Sequence, residues 1–152
     1  THEDHKLSVI LSIDHSGSMS TEALSKLLYI IEKHSKKIAQ LFVLIHDDDI
    51  VKEVKLEHSD DIASDLNFDA LKSRIAVGGT SHYKVLKRIE ELITLKKVDP
   101  EKTLYISCSD NYSDIPKSWK ACPKVSKLFS VVWLSPVDNP VNIPGTSDIS
   151  MS

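Results

Sequence analysis

Apolar residues fall along this 152-residue chain in two rhythms, short apolar-rich runs and helically spaced stripes, and the two alternate. Leu7–Ile13 reads as a buried strand, with Val9, Leu11 and Ile13 on one face and Ile10 on the other. Ser20 or Thr21 can cap the helix that follows, with Glu22 in the first turn, where the helix dipole favours an acid. Leu24, Leu27, Leu28, Ile31 and Ile38 then recur at helical spacing to about Ala39. Leu41–Ile45 is a second central strand. His46-Asp47-Asp48-Asp49 interrupts it, and Ile50–Leu56 alternates in polarity. So short a turn implies an antiparallel hairpin and puts the third strand at the sheet edge.

His58–Asp65 is polar and reads as loop or a helical turn, and Phe68, Leu71 and Ile75 suggest a short helix. After Gly78-Gly79-Thr80-Ser81, the residues Val85, Leu86, Ile89, Leu92 and Ile93 mark an amphipathic helix to about Lys97, ended by Asp99-Pro100. Thr103–Cys108 is the next strand, Pro116–Ala121 a short helix with proline in its first turn, and Leu128–Leu134 the fifth strand. A proline-containing connector from Ser135 to Gly145 leads to a last, weaker strand near Ser147–Met151. Strands alternating with helices predict an α/β fold with a mostly parallel sheet, with Thr1–Lys6 as a frayed terminus and residues 7–152 as one domain.

Composition narrows the function classes. Hydrophobic content of 41% and charged content of 27% suit a globular protein. A net charge of −3 gives no electrostatic case for nucleic acid or an acidic membrane surface. No apolar run approaches the roughly 20 residues of a membrane span, and no signal-peptide pattern opens the chain. Cys108 and Cys122 make no disulfide framework, so a reduced, cytoplasmic setting is expected. The start at Thr1 rather than Met fits a fragment or a processed product.

The candidate chemistry gathers in three loops, each leaving a strand end or opening a helix. They hold Asp14-x-Ser16-x-Ser18, then Thr80 behind two glycines, then Asp110. A carboxylate and hydroxyls are hard oxygen donors suited to Mg²⁺ or Mn²⁺, although aspartate and serine also simply cap helices. Five oxygen-bearing side chains in that order are far more specific than any one loop. From about Leu7 to Met151 the chain resembles the von Willebrand factor A (VWA) domain and its metal-ion-dependent adhesion site. The likeness is closest to the short VWA-like domains of bacteria and phages that follow a predicted metallopeptidase-like region and are often associated with MoxR-type AAA+ ATPases. Two departures stand out: His15 inside the first motif, and Asn111 in Asp110-Asn111-Tyr112-Ser113-Asp114-Ile115-Pro116, where the family has glycine. Asparagine also accepts left-handed backbone geometry.

The resemblance implies a three-layer, doubly wound, Rossmann-like sheet of about six strands with one antiparallel edge strand. It implies a divalent ion held directly by Ser16 and Ser18 and directly or through water by Thr80, with Asp14 and Asp110 acting mostly through water. It also implies an open coordination position filled by an Asp or Glu of a partner protein, and a rim formed around His15, His82 and Tyr112. The expected function is therefore a metal-dependent protein-binding module with no chemistry of its own. Two alternatives stand beside it: a metal-assisted phosphohydrolase using Asp14, and a metal-free scaffold. Of the remaining candidates, the three aspartates 47–49 are expected to form a polar turn. His15, His46 and His82 are expected to be loop histidines rather than a transition-metal site. Cys108 is expected to be strand packing, and Trp119 and Trp133 core or rim aromatics. Asp114 is either an acid behind the metal ligands or a cap for the Pro116 helix.

Overall fold

The computed structural model describes residues 6–14, 26–27, 29, 33–34, 37–47, 49–57, 81–112 and 114–150. Six strands form one sheet: β1 (Leu7–Asp14), β2 (Ile38–His46), β3 (Ile50–Glu57), β4 (Thr103–Cys108), β5 (Ser130–Ser135) and β6 (Ser147–Ser150). Their order is β3-β2-β1-β4-β5-β6, and only the β2–β3 pair is antiparallel. The α/β fold with a mostly parallel sheet and one antiparallel edge strand is as the sequence predicts.

The central strands are buried on both faces, which is why they read as apolar runs rather than alternations. Val9, Leu11 and Ile13 of β1 pack with Leu41, Val43 and Ile45 of β2 on one face, where Leu27 covers them. Lys26, Leu27, Tyr29 and Lys33 are helical there. Ile10, Phe42, Leu44, Tyr105 and Trp133 belong to the other face. It is covered by α1 (Tyr83–Thr94), through Val85, Leu86, Ile89 and Leu92, and by α2 (Ile115–Ala121) with the 3-10 turn that follows it.

Three boundaries differ from the sequence reading. The helical periodicity runs to Ala39, yet Ile38–Gln40 already belong to β2 and pair with Leu7 and Ser8. Gln40 Nε2 secures the junction, donating to Ser8 Oγ at 2.9 Å and to the Lys97 carbonyl at 3.0 Å. Helix α1 stops at Thr94 rather than Lys97. Lys96 takes a left-handed φ of 58°, and the Lys96 and Lys97 amides turn back to the Ile93 and Leu92 carbonyls, which closes the helix end without glycine. Strand β5 starts at Ser130, because the Leu128 amide is taken by the Val125 carbonyl and the Phe129 amide by the Pro100 carbonyl. The stretch 58–80, with its expected short helix, lies outside the described residues.

From β1 the sheet grows outward through β2 and β3. The chain then returns to place β4 on the other side of β1. The strand order therefore reverses between β1 and β4, and the crevice at their C-terminal ends is where open α/β sheets take ligands.

Candidate functional site

Asp14 is the last residue of β1 and is 1% exposed at this switch point. Beside it, β4 ends at Cys108 and delivers Ser109, whose hydroxyl donates to Asp14 Oδ2 at 3.0 Å. Ser109 is itself fixed, its amide on the Leu134 carbonyl and its hydroxyl accepting from the Asn111 amide at 3.1 Å. Ser109 is the site residue that sequence reasoning passed over. Its only signal was its place between a buried strand and Asp110.

Asp110 is half-buried, and its Oδ1 accepts from the Tyr112 amide at 3.0 Å. Asn111 adopts the left-handed φ of 66° that the departure from glycine required. Its Nδ2 donates to the Asn139 carbonyl, while Asn139 Nδ2 donates back to the Asp110 carbonyl, both at 2.8 Å. This reciprocal pair ties the Asp110 loop to the β5–β6 connector. Asp114 occupies the N-cap position of α2, but its side chain makes no capping bond.

On the other side of Asp14 the chain is dry. The register pairs Asp14 with His46, the last residue of β2. His46 and His82 are both fully buried, with ring centroids 5.2 Å apart in an edge-to-face arrangement. These histidines are not the loop-surface residues the sequence suggested, and His82 cannot belong to a rim. Tyr112, 71% exposed, can. Burial pushes the His46 pKa down, against the opposing field of Asp14. His82 is pushed down to about 3, by burial first and then by His46. Both are neutral imidazoles at physiological pH, and they supply no positive charge to Asp14.

Asp47 and Asp49 make the contacts of a polar hairpin turn; Asp48 lies outside the described residues. The Asp47 carboxylate accepts from the Asp49 amide at 3.0 Å, the Asp49 carboxylate accepts from the Ile50 amide at 2.7 Å, and Lys84 lies 3.3 Å from Asp49 Oδ2. The Ser81 amide donates to the Asp47 carbonyl at 2.8 Å, which pins the residue after Thr80 to the same sheet edge as Asp14.

Of the five proposed metal ligands, Asp14 and Asp110 are thus brought to one crevice. Ser16, Ser18 and Thr80 lie outside the described residues, as does His15. Among the described residues, no three His, Cys, Asp or Glu side chains gather to hold an ion. The described donors at the crevice are carboxylate and hydroxyl oxygens, which fit a hard cation such as Mg²⁺ and not a thiophilic one. Cys108 is fully buried and its thiol is pushed up by that burial, as strand packing implies. Trp133 is core, with Trp119 edge-on to it at 5.9 Å. No helix among the described residues is long and apolar enough to cross a membrane.

Scans against protein-family models and against curated proteins return no match. Among solved structures, the chain is similar to the conserved hypothetical protein BatB from Bacteroides thetaiotaomicron, with a TM-score of 0.55 and 18% identity. The likeness covers 92% of this chain and 73% of that one. At that identity it shows the fold, an α/β sheet architecture consistent with the VWA and Rossmann-like types.

Proposed function

We propose that this domain is a divalent-metal-dependent protein-binding module of the VWA type, with no chemistry of its own. The observation that carries the reading is Asp14, a buried carboxylate at the topological switch point, hydrogen-bonded through Ser109 to the loop that bears Asp110. A buried carboxylate beside a second acid-bearing loop, where the strand order reverses, suits a cation better than it suits a helix cap. In this reading Ser16 and Ser18 hold Mg²⁺ or Mn²⁺ directly, Thr80 directly or through water, while Asp14 and Asp110 act mostly through water. The tether of Ser81 to Asp47 supports the inclusion of Thr80.

Neutral hydroxyls leave the ion electrophilic, so an Asp or Glu of a partner protein gains from filling an open position. Coulomb attraction at an effective dielectric near 20 is ~4 kcal/mol for unit charges 4 Å apart. Desolvation offsets part of it, leaving a net gain on the order of 2–3 kcal/mol. The partner class that the sequence resemblance suggests is a MoxR-type AAA+ ATPase, in a cytoplasmic setting. The enzymatic alternative finds less support: Cys108 is sealed in the sheet, and His46 and His82 are buried beneath the edge rather than presented to a substrate. Capture of the partner on immobilised domain, repeated with EDTA, tests the reading. Chelation is expected to weaken the complex ~30-fold or more, about 2 kcal/mol. A partner held equally well without metal, and by Ser16→Ala, would mean a metal-free scaffold.

A further inference from the structure

A cavity of about 180 Å³ opens at the C-terminal ends of β5 and β6, beside the Asp110 loop. It is below the roughly 300 Å³ at which pockets for whole small-molecule ligands begin, and so is sized for one side chain. Trp133, Val137, Pro140 and Ile149 give it apolar walls. Its polar groups are unevenly spent. Trp133 Nε1 donates to Thr146 Oγ1, Asn111 Nδ2 to the Asn139 carbonyl, and Asn139 Nδ2 to the Asp110 carbonyl. The Val141 and Asn142 amides are taken by the Asp148 carboxylate, and the Val137 amide by Ser135 Oγ. The acceptors are not spent in the same way. Asn111 Oδ1 is buried with no hydrogen-bond partner, and Asp138, in the cavity wall, is not engaged in a hydrogen bond or ion pair among the described residues. No lysine or arginine lines the cavity.

A buried acceptor left unmade costs on the order of 1–3 kcal/mol, and a bound donor recovers it. We propose that this cavity receives an arginine side chain of the protein bound at the metal crevice. The apolar walls take the alkyl stem, and Asn111 Oδ1 and the Asp138 carboxylate take the head. Arginine suits two separate acceptors because its planar fork carries five donors, whereas an ammonium is a compact and more strongly hydrated charge. The inference rests on the protein-binding reading for its source of arginine. The pocket would thus demand a basic residue close to the acidic one offered to the ion.

The test uses ¹⁵N-labelled protein titrated with N-acetyl-arginine methylamide, its lysine counterpart and its neutral citrulline counterpart, with and without Mg²⁺. The Trp133 indole and Asn111 side-chain amide resonances report occupancy. The arginine probe is expected to shift both, with the citrulline probe and the Asp138→Asn variant each weakening binding at least ~10-fold, the loss of one charge-assisted contact. Ser16→Ala is expected to lose Mg²⁺ binding and keep arginine binding, which separates the pocket from the metal site. Citrulline or lysine binding as tightly as arginine, or unchanged affinity in Asp138→Asn, would overturn the assignment.

Discussion

The two flanks of the crevice are built on opposite principles. On the β1–β2 side, Asp14, His46 and His82 are at most 1% exposed, and the polar groups are held by burial and strand register. On the β4–β6 side, Asp110, Asn111 and Asn139 are partly exposed and held by a reciprocal amide pair between two loops. The dry flank cannot rearrange without unpacking the sheet, so it fixes where a carboxylate stands. The wet flank can exchange its partners for those of an incoming chain, because its groups already border water and a cavity. In the proposed reading, the rigid acid would fix the ion and the adaptable rim would meet the partner.

The largest break in this contrast is expected from the dry flank. Asp14→Ala should abolish Mg²⁺ binding, measured by calorimetry, while circular dichroism stays close to that of the parent. An unchanged Mg²⁺ affinity in that variant would remove Asp14 from the site.

Acid should separate the flanks next. His46 and His82 have folded pKa values below the ordinary 6.5, so the unfolded chain binds more protons as pH falls. Their contribution to stability is present above pH 6.5 and is lost as pH drops from there toward the folded values, about 3 for His82. For His82 the slope approaches about 1.4 kcal/mol per pH unit, about 2 kcal/mol between pH 6.5 and 5, and His46 adds to the loss in the same direction. Urea titrations of metal-free protein at several pH values should show the loss, and His82→Leu should flatten it. A slope that is the same in His82→Leu would mean that His82 is not held neutral in the folded state.

The smallest effect belongs to the wet flank. Asn139→Ala removes the bond to the Asp110 carbonyl and leaves the connector tied by Asn111 Nδ2 alone, at a cost of about 1 kcal/mol in denaturant. Its more telling readout is faster amide exchange at Asn111 and Tyr112 with Asp14 unaffected. Equal loss of protection on both flanks would show that they are one cooperative unit.

Much of the architecture was legible because it follows from local pattern. Apolar-rich runs, broken only by serine and threonine in β1 and β4, pointed to β1, β2 and β4, and the short acidic turn pointed to the antiparallel edge. Asp14 and Asp110 were placed at strand ends, where the structure has them, and Asn111 in place of glycine implied the positive φ it adopts; the loops of Ser16, Ser18 and Thr80 lie outside the described residues. Charge and hydropathy carry no such information about neighbours. His46 and His82 read as loop histidines because their burial depends on register: Asp14 opposite His46, and Ser81 bonded across to Asp47.

The same limit applies to the helix that periodicity carried into Ile38 and to the bond from Ser109 to Asp14. The first is overruled by pairing with Leu7 and Ser8, and the second spans 95 positions of sequence. The cavity beside Asp110 is bordered by two loops joined at long range, Asn111 Nδ2 donating to the Asn139 carbonyl and Asn139 Nδ2 to the Asp110 carbonyl, 28 and 29 positions apart. By itself the sequence determined which residues could become strands, turns and oxygen donors, since these depend on side-chain chemistry and near neighbours. Only the tertiary structure decided which of them are dry, which are paired and which face an open pocket, because desolvation and hydrogen-bond partners are properties of residues brought together from far apart along the chain.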